Sequence, residues 1–466
     1  MNKGFIIDIL KSWNERNGSV NNTADILSWI SELNNKTYVD IRESSLCKSN
    51  FWFYDDCSGE VLNQKRSFFS IIGMRFFENN EFIKEQPIIL QSEIGYLGII
   101  CKKINGVLNF LMQAKIEPGN VNYVQISPTI QATKSNFLRV HGGDLPTYFE
   151  LFAKSYKYCV VYDQIQSEQA SRFYKKRNRN MILYLDEIEI DIYPNFKWMT
   201  LGQIKELMKI DNLVNMDTRT VLSGLPFLGV NFTHNELKEI DFLSSNGPFF
   251  SSIFNDDPQS GLPVLYQKLN NFKMFQDVRV EMIPLSQLFD WTVDEYGITC
   301  KQQSDFIVRY YDIEIAGREV QHWMQPLFKA MGIATFGLLS RIHSGKREYL
   351  VKIKPEIGSF DKAEIGPCIQ WEPTHDFSND NMVDSLFRKK LELGKGFITD
   401  VILSEEGGRF FHEQNRNIIL NIEEREMEEV PDEYIWTDYS TLCYLVQINN
   451  CLNIQLRNLM SLIDFL

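Results

Sequence analysis

The densest polar run in the chain is DQIQSEQASRFYKKRNRN, Asp163 to Asn180. It places Arg172, Lys175, Lys176, Arg177 and Arg179 within eight positions, behind three amides and a serine hydroxyl. Guanidinium forks match phosphate oxygens, so this patch suits a phosphate-bearing small molecule. A solvated charged face would have the same composition. A second run, SPTIQATKSNFLRVHGG (Ser127 to Gly143), sets small hydroxylated residues, Lys134 and His141 beside Gly142-Gly143. Such a stretch can line a polar pocket with close backbone approach, or form an irregular surface loop. Lys115 and Glu117 alternate on one face of an expected strand; an ion pair is their first reading and a catalytic pair their second. There is no GxGxxG after a strand, no GxxxxGK phosphate loop, no HExxH and no GxSxG. The six histidines are scattered. Any chemistry is therefore expected to run without nicotinamide, ATP or a zinc site.

These groups must be held by the elements around them, and those elements occur twice. Gln86 to Gln131 returns as Gln325 to Gln370 at a constant shift of 239 (325 − 86), with 13 identities in 46 positions. Chance would give roughly three. The run Ser167 to Asn180 returns as Ser404 to Asn417, and Trp198 to Ser223 as Trp436 to Ser461. A period this long means two domains rather than a solenoid. Two short helices are expected over residues 3 to 34, with Thr23 capping the second. Short apolar runs from Phe51 to about Ile130 read as strands, with a hairpin turning at Asn105-Gly106 and its copy at Ser344-Gly345. A helical stretch follows from Thr200 towards Gly224. The expected organisation is residues 1–225 with N-terminal helices, a linker over 226–275, and a second unit over 276–466. Each unit is α+β, with a curved, mostly antiparallel or mixed sheet carrying helices.

At 466 residues, with 44% hydrophobic and 13% aromatic content, the chain can enclose more than one core. A net charge of −13 argues against nucleic acid as a partner. Eight cysteines without a CxxC pair read as reduced thiols of a cytoplasmic protein. The N-terminus reads as an amphipathic helix, not a signal peptide, and no run approaches the roughly 20 apolar residues that span a bilayer.

Taken together, FWFYDD, QAKIEPGNVNYVQISPTIQATKSN, HGG, QSEQASRFYKKRNRN and MTLGQIKELM followed by VNMDTRTVLSG resemble the NDP-hexose 2,3-dehydratases of deoxysugar biosynthesis, over nearly the whole chain. The resemblance implies a homodimer whose subunits each carry two Nudix-hydrolase-like domains. This sequence lacks the acidic Nudix box, which weighs against a metal-dependent diphosphate hydrolase. A non-catalytic nucleotide-sugar-binding protein is the remaining alternative. The implied substrate is dTDP-4-keto-6-deoxy-D-glucose and the product dTDP-3,4-diketo-2,6-dideoxy-D-glucose, which a separate 3-ketoreductase would consume. No cofactor or metal is implied. Carried onto this sequence, the resemblance places the first nucleotide-sugar pocket at Trp52, Gln131, Ala132, Thr133, Lys134, Ser135 and Ser171, with Arg172 and Lys175 on the diphosphate. A second pocket is implied around Trp291, Arg309, Lys352, Gln370, Trp371 and Glu372. One pocket is expected to be catalytic and the other a remnant, and the richer polar runs favour the first copy. Glu117, His141 and Glu168 are the acid and base candidates; the two glutamates recur as Glu356 and Glu405, and His141 has no aligned counterpart.

Overall fold

Asn105 and Gly106 adopt φ of 52° and 81°, and Ser344 and Gly345 adopt 50° and 76°. Positive φ at both central residues is what a tight two-residue hairpin requires, and it joins Gly95–Ile104 to Val107–Ile116 and Ala334–His343 to Lys346–Pro355. In the computed structural model, which describes residues 3–134, 145–227, 232–244, 246–254, 261–317 and 320–465, the duplication is carried through nearly every element. The chain is α+β, with mixed sheets in two repeated sheet-rich halves.

Each half has a seven-stranded sheet. In the first, Cys159–Ser167, Arg177–Tyr184, Gly95–Ile104, Val107–Ile116 and Phe196–Thr200 lie in that order, with Val124–Ser127 and Ile130–Ala132 attached to the central hairpin. The pair Arg177–Tyr184 and Gly95–Ile104 is parallel, and its neighbours are antiparallel. The second half repeats this around Ala334–His343 and Lys346–Pro355, with Gln414–Asn421 parallel to the former.

The two six-stranded sheets exchange strands. Val278–Ile283, from the second half, pairs antiparallel with Ser70–Glu78 of the first. Val39–Ser44, from the first half, pairs in the same way with Phe306–Ile315 of the second. The halves are fastened again at two short loops. Gly119 N donates to Gly407 O at 2.7 Å and His412 N donates to Gly119 O at 2.9 Å. The copy of this contact joins Gly358 to Ala170 and Lys175, at 2.8 Å each. One hydrophobic cluster runs through both halves, from Ile6, Phe110 and Leu222 to Leu338, Leu459 and Phe465. Two buried arginines cross within it: Arg219 donates to Ser404 O at 2.6 Å, and Arg457 donates to Ser167 O.

Three local expectations are corrected. The N-terminal helix Thr23–Lys36 is capped by Asn22, whose side chain accepts from Asp25 N, and not by Thr23. The stretch from Thr200 is two helices, Leu201–Leu207 and Met216–Leu222, each with its own side-chain cap. The residues read as a linker contain helices, and the last of them, Leu262–Phe275, stands at the repeat shift of 239 from Thr23–Lys36 (262 − 23).

Candidate active site

A cavity of about 530 Å³ opens beside the end of Val107–Ile116 and the strand Ile130–Ala132. Trp52, Lys115, Glu117, Gln131, Ala132, Thr133, Glu168 and Lys176 line it, so eight of the residues singled out from the sequence face one cavity. The period of two along Val107–Ile116 carries Lys115 and Glu117 to the same side, where they form an ion pair at 3.2 Å. Gln131 donates to Glu117 at 3.0 Å and thereby ties the two strands at the cavity floor. Glu168 follows Cys159–Ser167; Asn178 donates to its Oε1 at 2.6 Å, while its Oε2 has no partner among the described residues.

Three further groups that sequence reasoning passed over complete the chemistry. Asp217 stands in the first turn of Met216–Leu222, a helix whose cap, Asn215, also reaches Gln131 at 3.4 Å. Glu406 and Arg409 come from the second half and face the same cavity. The Glu406 and Glu117 side-chain oxygens both flank Gly408, and a Cβ built there would lie 2.3 and 3.6 Å from them. Arg409 lies over the rings of Phe68 and Phe69, 4.3 and 4.5 Å from their centroids, and donates to Gln91 at 3.2 and 3.1 Å. Lys176 also lines the cavity and donates to Glu93 O at 2.5 Å.

Four carboxyls within one buried space disfavour one another's ionisation. Burial lifts Asp217 well above the ordinary carboxylate range, and Glu168, Glu406 and Glu117 reinforce it. Burial pushes Glu406 up to about 7, against the pull of Arg409. Glu168 is raised by burial, opposed by Arg457, Lys176 and Arg409. Burial thus makes Asp217, Glu406 and Glu168 hold their protons more tightly than exposed carboxyls do.

The other described residues placed in a pocket from the sequence lie outside this cavity. Lys134 faces a smaller neighbouring recess with Tyr96 and Arg179. Ser171 is buried, and its carbonyl accepts from Gln86 at 2.7 Å. Lys175 adopts φ of 51°, with its Nζ 5.1 Å from the Tyr174 ring centroid. Arg172 turns into the second half. It pairs with Glu372 at 3.1 Å and Glu413 at 3.5 Å and lies over the Phe306 ring, in the position that Arg409 occupies beside the first-half cavity. Gln370 donates to Glu356 at 2.8 Å, copying the Gln131–Glu117 contact. Trp291 donates to Glu85 O at 3.1 Å. Arg309 packs at Gly297 of the neighbouring strand. Lys352 donates to Tyr434 at 3.1 Å, and Trp371 donates to Asp384 at 2.8 Å within a separate apolar cluster. Ser135 and His141 lie outside the described residues.

Among the described residues, His375, Asp380 and Asp384 have the spacing of a metal site. They are already engaged by one another, Arg388 and Trp371, and none of them lines the cavity.

The copies are also seen in comparison with known proteins. The family described as NDP-hexose 2,3-dehydratase matches residues 23–225 and, again, 264–463. The chain is 32% identical over 452 residues to a dTDP-4-dehydro-6-deoxy-alpha-D-glucopyranose 2,3-dehydratase of Saccharopolyspora spinosa, covering 94% of this chain and 90% of the relative. A protein of the same description from Streptomyces violaceoruber is 33% identical over 453 residues, covering 95% and 97%. One from Amycolatopsis orientalis is 30% identical over 459 residues, covering 95% and 90%.

Proposed function

Because the chain belongs to the NDP-hexose 2,3-dehydratase family, we propose that its first-half cavity removes water across C2 and C3 of dTDP-4-keto-6-deoxy-D-glucose. The product is dTDP-3,4-diketo-2,6-dideoxy-D-glucose, an intermediate of deoxysugar biosynthesis. The observation that carries the assignment to this cavity is its content of four carboxyls and three cations in one enclosed space. The matching position of the second half is instead occupied by the Arg172–Glu372 and Arg172–Glu413 pairs.

The C4 ketone acidifies the C3 proton, so a carboxylate can remove it to give an enediolate. Glu168 is the base: one oxygen is fixed by Asn178, and the other has no partner among the described residues. Lys115 and Lys176 stabilise the charge that develops on the C4 oxygen, and Arg409 with the aromatic wall of Trp52 holds the nucleotide diphosphate. Neither redox chemistry nor a metal is needed for this elimination. Each half is read as a Nudix-hydrolase-like unit without its acidic metal box, and the active species as a homodimer. The eight free cysteines fit a reducing cytoplasm. A 3,4-diketone is activated for hydride addition, so a separate 3-ketoreductase consumes it.

Incubation of the purified protein with dTDP-4-keto-6-deoxyglucose in EDTA and D₂O tests this reading. The expected result is exchange at C3 and loss of one water by mass spectrometry. Tight binding with neither event would instead make the protein a nucleotide-sugar binder.

A further inference from the structure

Expulsion of a hydroxide from C2 needs a proton donor, and the three carboxyls other than the base are not equivalent. Glu117 is held in an ion pair with Lys115 and accepts from Gln131, which suits the ionised form. Glu406, although burial lifts it to about 7, stands on the same second-half loop as Arg409, the residue assigned to the diphosphate. Asp217 differs from both. It lines the cavity from the helix Met216–Leu222, is only 2% exposed, and takes no hydrogen bond among the described residues. The duplication singles it out as well. Glu117 and Glu168 recur as Glu356 and Glu405, whereas at the shift of 238 that relates Trp198 to Trp436 the partner of Asp217 is Gln455. The half in which the matching arginine, Arg172, is held by Glu372 and Glu413 is the half without this acid.

We infer that Asp217 is the general acid that protonates the departing C2 hydroxyl, an assignment that rests on the dehydratase reading of this cavity. Once Glu168 has taken the C3 proton, the enediolate electrons re-form the C4 carbonyl and make the C2–C3 double bond. As that double bond forms the C2–O bond breaks, and its oxygen leaves as water with the Asp217 proton. The resulting enol is protonated at C2 by Glu168, and loss of its hydroxyl proton gives the C3 ketone and restores a proton to Asp217. One water is lost, and both carboxyls return to their starting states. The groups facing Asp217 are Glu168, Glu406 and Glu117, which disfavour its ionisation, and Lys115, which favours it. Arg219 and Arg457 also sense its charge from within the buried helices.

The test separates the two steps of the reaction. In Asp217→Asn, exchange of the C3 proton in D₂O should persist within a few-fold, while water loss should fall by ~10²-fold or more. Fluoride needs no protonation to leave, so the 2-deoxy-2-fluoro analogue of the substrate should lose fluoride in the variant at close to the wild-type rate. Normal dehydration by the variant overturns the inference, as does equally slow fluoride loss. Loss of C3 exchange in a variant that still binds dTDP also overturns it, because the residue would then belong to the first step. If the variant does not fold, the wild-type protein decides. Dehydration should fail as pH rises through the acid's ionisation while fluoride loss does not, and parallel pH profiles would overturn the inference. Absence of both exchange and dehydration in the wild-type protein would mark failure of the dehydratase reading itself.

Discussion

Glu168 combines burial, a fixed oxygen and an unpartnered oxygen, which is the arrangement a general base needs to meet a C–H bond. Glu168→Gln keeps the shape and the acceptor oxygen but cannot take a proton. Both C3 exchange and water loss should therefore fall together by ~10²-fold or more, with dTDP affinity by calorimetry little changed. That pattern differs from the one expected of Asp217→Asn, in which only water loss falls. Part of the cavity wall was legible at this scale, since Gln131 and Glu168 stand in runs whose residue types already suggest a polar site, whereas Trp52 was placed by the family resemblance and Glu117 read first as half of an ion pair. The direction in which Arg172 points was not. Its partner Glu372 lies 200 residues away in sequence, and local composition carries no record of that ion pair. Asp217 was readable in principle, as an acid of one copy that becomes Gln455 in the other, but a lone aspartate in a helical run does not draw attention without that comparison.

The elements that hold these residues were readable where a local conformation dictates them. The hairpins at Asn105-Gly106 and Ser344-Gly345 follow from the positive φ that a two-residue turn requires. The break between Leu201–Leu207 and Met216–Leu222 was not readable, because it is imposed from outside. Ile126 N donates to Leu213 O at 2.9 Å and Asn215 N donates to Ile126 O at 3.0 Å, so a neighbouring strand pulls the chain out of the helix. That excursion is what allows Asn215 to start the helix that carries Asp217. Two glycines separate conformational from steric demand. A Cβ at Gly106 would meet nothing within 4 Å, and Gly106→Ala should cost only about 1–2 kcal/mol for the left-handed backbone. A Cβ at Gly119 would lie 1.6 Å from Phe410 O of the second half. Gly119→Ala should cost about 3 kcal/mol or more in urea unfolding and also reduce turnover, because the loop it displaces carries Glu406 and Arg409 into the cavity.

At the scale of the whole molecule, the sequence pattern shows that there are two copies but not how they are joined. VDIRES and VRVEMI have the same alternation whichever sheet receives them, so the exchange of Val39–Ser44 and Val278–Ile283 leaves no mark on composition. The exchange gives the second half a role that its own occupied pocket does not. It closes the first-half sheet at Ser70–Glu78 and supplies Trp323, Gln325, Glu406 and Arg409 to the cavity. A chain cut once within residues 255–260 tests this dependence. The N-terminal piece alone leaves Ser70–Glu78 with an unpaired edge and the cavity without its second-half wall. The C-terminal piece alone leaves Phe306–Ile315 unpaired in the same way. Both also expose parts of a hydrophobic cluster drawn from the two halves. Each piece expressed alone should be aggregated or inactive, and the two co-expressed should co-purify and recover dehydration. Dehydration by the N-terminal piece alone would show that Arg409 and Glu406 are dispensable. It would also locate the diphosphate contacts wholly within the first half.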